Sequence, residues 1–154
     1  MNRKNKKGKI NSWILSHKKK GNSKLSLARR YALIGEYKRA ISLIEFHFWF
    51  YSPKSDAMRL LGNIYELMSF DPRENIKEDR FLLLEAAGLI YKKVHDEFPF
   101  DILGMLDLAE NLESRGCHSD ARDIYKKMAT MPAENFSGLE KDAINEAKEI
   151  ISKE

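Results

Sequence analysis

Disulfide chemistry is closed to this chain: Cys117 is the only cysteine, so no intramolecular bridge can form and a reducing cytoplasm is its simplest home. Long apolar runs are missing as well. The most apolar window, Ile41 to Tyr51, is interrupted by Glu45 and His47 and spans about half of the roughly 20 residues that a membrane helix needs. After the basic start, the apolar stretch is only Trp13-Ile14-Leu15 before His17-Lys18-Lys19-Lys20 ends it, too short for a secretion signal. Prolines are few, at positions 53, 72, 99 and 132, and fall like punctuation between helices.

Catalytic signals are equally scarce. The histidines at 17, 47, 95 and 118 never pair at three or four residues' spacing, so no helix presents two ligands to a metal. There is no glycine-rich phosphate loop, no nucleophile elbow and no motif for a cofactor. Cys117 and His118 are neighbours after Gly116, but adjacent side chains rarely point at one another and no third orienting group accompanies them. The expectation is a chain that is not an enzyme and holds neither metal nor cofactor.

What is present is a folded composition, 43% apolar in 154 residues, enough for one ordinary domain over residues 10–152. Charge is unevenly spread. Residues 1–44 hold 13 Lys and Arg against one acid, Glu36, and the rest holds 14 against 22, so +12 and −8 make up the net +4. Residues 1–9 are Lys- and Asn-rich with nothing to bury, and are expected to form a disordered basic tail. From Ile10, the spacing Ile10, Trp13, Ile14, His17 predicts a short leading helix, broken by Gly21-Asn22-Ser23.

A repeat of long period follows. Leu27-Ala28-x-x-Tyr31 recurs 34 residues later as Leu61-Gly62-x-x-Tyr65, and 81 residues later as Leu108-Ala109-x-x-Leu112. The second halves agree: Gly35, Ala40 and Ile44 in the first copy, Ala87, Tyr91 and Pro99 in the second, Gly116, Ala121 and Tyr125 in the third. The middle copy is longer by 13 residues, placed at 69–80, where Asp71-Pro72-x-Glu74 reads as a helix start, so that the second helix of that pair is expected to be long or preceded by an extra turn. Ser137-x-x-Glu140 reads as a capping box before a last helix, 137–152, with Leu139, Ala143, Ile144, Ala147, Ile150 and Ile151 on one side.

These residues resemble the tetratricopeptide repeat (TPR), which sets a small residue after Leu on the first helix, an aromatic three further on, and Ala-x-x-x-aromatic on the second helix. The likeness covers roughly residues 21–133, without the first-helix Trp and with the enlarged middle unit. It implies an all-α, TPR-like right-handed superhelix of about three helical hairpins, near 21–54, 55–99 and 100–133, with a short leading helix and a C-terminal capping helix. It implies further that first helices line a concave groove, which would present Arg29, then Arg59, Asn63 and Glu66, then Glu110 and Glu113, to a protein partner.

The run Phe46-His47-Phe48-Trp49-Phe50-Tyr51 must point all round a helix. Either the enlarged middle unit or the leading helix covers it, or it forms an exposed patch with Trp49 and Tyr51 as interface anchors. The leading functional expectation is a cytoplasmic protein-binding module that uses the groove or this patch. An immunity- or antitoxin-like inhibitor, whose acidic body plugs a basic toxin site, is one alternative. Nucleic-acid binding through Lys18, Lys19, Lys20 and Lys24 is another.

Overall fold

The computed structural model describes residues 23–74 and 77–153, and the leading helix, the 1–9 tail and Lys18, Lys19 and Lys20 lie outside them. The described residues hold seven α-helices and no strand. They fall in two compact units that divide between Ala87 and Gly88.

In the first unit, α1 (Ser23–Leu33), α2 (Tyr37–Phe50) and α3 (Ser55–Phe70) pack on one another. Helices α1 and α2 each give the core a stripe at helical spacing, Leu25, Ala28 and Ala32 from α1 and Tyr37, Ala40, Ile44 and His47 from α2, whereas α3 is buried on nearly every side and contributes Ala57, Leu60, Ile64 and Leu67. Ala28 and Ala40 are wholly buried, and their lack of bulk is what lets α1 and α2 approach closely enough for Ile44 and Leu60 to fill the space beside them. A 3₁₀ turn, Pro72–Glu74, follows α3.

Helix α4 (Lys77–Glu97) carries the boundary between the units, between Ala87 and Gly88. In the second unit α5 (Ile102–Ser114), α6 (His118–Ala129) and α7 (Gly138–Ser152) share a core of Ile102, Met105, Ala109, Tyr125, Met128 and Ile144. Asp101 caps α5, its Oδ1 accepting the Gly104 amide at 3.1 Å.

The turns of the α1–α2 and α5–α6 hairpins are the same object built twice. Gly35 and Gly116 take φ of 83° and 81°, a left-handed conformation that glycine adopts without penalty. Gly35 N donates to Ala32 O at 3.2 Å and Glu36 N to Tyr31 O at 2.9 Å; Gly116 N donates to Glu113 O at 3.0 Å and Cys117 N to Leu112 O at 2.9 Å. This is the Schellman pattern, which satisfies the last carbonyls of a helix. The residues after it match too, Glu36 at φ −84°, ψ 58° and Cys117 at φ −85°, ψ 59°. The core positions keep the same register: Ala40, Ile44 and His47 in α2 correspond, 81 residues on, to Ala121, Tyr125 and Met128 in α6, all buried.

Asp71-Pro72-x-Glu74 starts an extra turn, the 3₁₀ segment Pro72–Glu74, ahead of the 21-residue α4, and Asp71 Oδ1 accepts the Arg73 amide at 3.0 Å. One local expectation is corrected. Ser137 forms no capping box: its side chain makes no capping hydrogen bond, and the helix enters through Gly138 at φ 57°, away from the helical φ that the motif assumes at its first position. Leu139, expected on the buried stripe, is exposed.

Candidate functional site

Burial of Ala40, Ile44 and His47 decides which way the rest of α2 faces. Those three residues turn one side of the helix to α1 and α3, so Arg39, Leu43, Phe46 and Phe50, spaced by four, three and four, share another. On α1 the burial of Ala28 and Ala32 likewise leaves Leu27, Tyr31 and Ile34 in one row on the other side. Tyr31 and Leu43 rest partly on the core, and Leu27 and Ile34 are exposed. Between the rows lies a groove of about 510 Å³ lined by Leu27, Tyr31, Leu43 and Phe46, with Lys38, Arg39 and Ser42 along it.

The aromatic run divides in the structure. His47 is buried, taking the core slot that Met128 fills in the second unit, and burial lowers its pKa. Phe48 packs half-buried against the first core. The other four stay out: Trp49 is 85% exposed, Phe50 65%, Tyr51 56% and Phe46 45%. Tyr51 stacks on His47, ring centroids 4.7 Å apart, so its ring is held in place. Phe46 and Phe50 pack tilted at 4.9 Å. Four large aromatics are thus left exposed within six residues at the end of α2.

Cations border this patch. The Lys24 ammonium stands 3.7 Å from the Phe46 ring centroid and 5.5 Å from that of Phe50, and the Arg39 guanidinium lies 5.8 Å from the Tyr31 ring. Arg39 also pairs with Glu36 at 3.8 Å, with both side chains at least half exposed, a contact of little energetic weight. Lys24, one of the cations named for the alternative of nucleic-acid binding, stands over two rings.

The residues assigned to a concave groove are placed differently from the patch. Arg29, Arg59, Asn63, Glu66 and Glu110 are buried rather than presented to solvent. Burial lowers the Arg29 pKa, with Asp56 acting in the opposite sense. Only Glu113 of the six is partly exposed, at the edge of a second cavity of about 400 Å³ with His118, Ser119, Arg122, Tyr125 and Ile150. Burial, then the carboxylates of Glu113, Glu110 and Glu146, push the Tyr125 phenol far up. Cys117 is half-buried at the start of α6 and His118 beside it is exposed.

Trp49 and Tyr51 stand out in the sequence as interface anchors, and Phe46 and Phe50 do not. The spacing of Arg39, Leu43, Phe46 and Phe50 is the signal that finds them, read as a stripe of its own beside the buried one. Among the described residues no three His, Cys, Asp or Glu gather where they could hold a metal ion, and no helix is long and apolar enough to cross a membrane. Compared with protein-family models, with curated proteins and with solved structures, the chain matches none.

Proposed function

We propose that this protein is a non-catalytic binding module that recognises a protein partner through the outer face of its first hairpin. The observation that carries this reading is the exposure of Phe46, Trp49 and Phe50 at the end of α2 and of Tyr51 just after it, an apolar surface of the kind that marks an interaction site. Aromatic rings contribute large contact area at small conformational cost, which is why Trp and Tyr dominate interface energetics. The buried state of Arg29, Arg59, Asn63, Glu66 and Glu110 favours this face over the concave groove as the place of first contact.

The finer reading of the architecture, a TPR-like right-handed superhelix working in the cytoplasm, belongs to the same proposal. Its support is the recurrence of one hairpin design, with matching Schellman turns and a shared register of core residues, as a repeat architecture would have it.

The test is capture of protein from native lysate by the tagged full chain, compared with a W49A/F50A variant. Stoichiometric retention by the parent and loss of at least tenfold in the variant are expected, since truncating central aromatic anchors costs 2 kcal/mol or more, at about 1.4 kcal/mol per tenfold. Equal retention by both proteins removes the patch from the interface.

A further inference from the structure

We infer that the groove between α1 and α2 receives an acidic amphipathic helix. This rests on the protein-binding reading above and adds the chemistry of the partner. The groove floor is mostly apolar, with Leu27, Tyr31, Leu43 and Phe46 offering ring faces and branched methyls. Its rim is cationic, with Lys38 and Arg39 among the lining residues and Lys24 over the Phe46 ring. Among the described residues no acidic side chain lines the groove, and Glu36 stands at the α1–α2 turn, paired with Arg39 at 3.8 Å.

Two helices side by side present a furrow that suits a third helix, whose ridge of side chains settles between theirs. An occupant with Leu or Phe at helical spacing would cover the floor. Its carboxylates, flanking that apolar stripe, would meet Lys24, Lys38 and Arg39, and charge complementarity of this kind selects partners and speeds encounter.

Charge also sorts the competing occupants. Residues 10–20 of the chain contain Ile10, Trp13 and Ile14 at helical spacing, but they carry Lys18, Lys19 and Lys20 and no acid, so docking there would bring like charges together. A second copy offering the same face would do the same with its own Lys24, Lys38 and Arg39. An acidic helix alone among these brings opposite charge to the rim.

The full chain is titrated against three labelled synthetic peptides of about 15 residues, the length of α2, followed by fluorescence anisotropy. All three carry Leu on one stripe; the other positions are Glu, Lys or neutral Gln and Ser. The Glu peptide is expected to bind best, to weaken as salt is raised, and to lose affinity on the order of tenfold against K38E/R39E. Those two side chains are exposed, and an unchanged unfolding midpoint for K38E/R39E shows that its loss of affinity is not loss of fold.

A photoreactive residue at Ser42, which lines the groove, is expected to cross-link to the Glu peptide. Cross-linking within the same chain to residues 10–20, undiminished by excess Glu peptide, overturns the inference. So does equal or tighter binding of the Lys or neutral peptide, or sedimentation with phosphatidylserine vesicles that excess Glu peptide does not reverse. A neutral peptide that binds as tightly as the acidic one, in a W49A/F50A-sensitive way, leaves the protein-binding reading standing and removes only the acidic character of the partner. Retention of no protein from lysate removes that reading itself.

Discussion

The Tyr37 hydroxyl donates to Oδ2 of Asp71 at 2.8 Å, joining the first residue of α2 to the residue that ends α3 across 34 positions of sequence. Both side chains are buried, and Arg73 completes the cluster by donating to the same carboxylate from its backbone amide, from Nε at 3.1 Å and from Nη2 at 2.7 Å. Removing the tyrosine hydroxyl takes one partner from a buried carboxylate. Y37F is expected to lower stability by about 1–2 kcal/mol, and D71A by more, because it strands the phenol and releases Arg73. Chemical denaturation of the three proteins checks the order.

The same cluster shapes the response to pH. Hydrogen bonding to the Arg73 guanidinium, helped by the Arg73 amide and Tyr37, holds the Asp71 carboxyl well below the usual carboxylate range, against the opposing effect of burial. Its folded value is depressed, so the stability it contributes is complete above the unfolded value of 3.8 and is lost as pH falls from there toward the folded one. Burial, then the hydrogen bond to Asp71, pushes the Tyr37 phenol from 10.0 up to about 12, so its contribution is intact below pH 10.0 and is lost as pH rises through about 12. Midpoints measured across pH should show D71N with a weaker acid limb than the parent. Y37F should remove part, not all, of the alkaline limb, because Tyr125 is also shifted upward.

Substituting the two turn glycines by alanine should separate backbone strain from crowding. At Gly116 a new Cβ meets nothing within 4 Å, so G116A carries only the left-handed penalty, roughly 1–2 kcal/mol. At Gly35 the Cβ would fall on the Arg73 guanidinium, which must then leave Asp71 or move with it. G35A is therefore expected to be the more damaging of the two in thermal unfolding. Equal losses would mean that Arg73 adapts freely.

Much of this architecture can be read from the sequence because it rests on small residues and glycines, whose reasons are local. Ala28, Ala40, Ala109 and Ala121 are wholly buried, where a repeated Ala pattern places them, and Gly35 and Gly116 hold the left-handed turns between helices. The Asp71 cluster is not legible in that way. Asp-Pro-x-Glu looks like a helix start, and only the tertiary approach of Tyr37 turns the aspartate inward. Burial of Arg59, Asn63 and Glu66 on α3 is equally hidden, since charged residues at helical spacing read as a solvated face until packing is known. Of the patch, Trp49 and Tyr51 stand out by residue type, whereas Phe46 and Phe50 emerge only once the buried stripe of α2 fixes which side is left over.

Trp49 can report on its own surroundings. The chain has two tryptophans, so a W13F background leaves Trp49 as the sole indole. At 85% exposure its emission should be that of a hydrated indole, readily quenched by acrylamide, and should shift to the blue with reduced quenching when a partner covers α2. Emission that is already blue and protected in the isolated protein would show the ring covered by the chain itself. Truncation to Ala in the same background should move the unfolding free energy by no more than about 0.5 kcal/mol, the usual range for a surface position.

The cationic collar around the first hairpin has a second effect, on crowding. An exposed aromatic cluster invites molecules to stick to one another, and Lys24, Lys38 and Arg39 give every copy the same sign at the place where sticking would begin. Mutual repulsion keeps the face vacant without concealing it. Ionic strength should consequently act in opposite directions on the two processes, encouraging homotypic clumping while loosening the grip on an anionic guest.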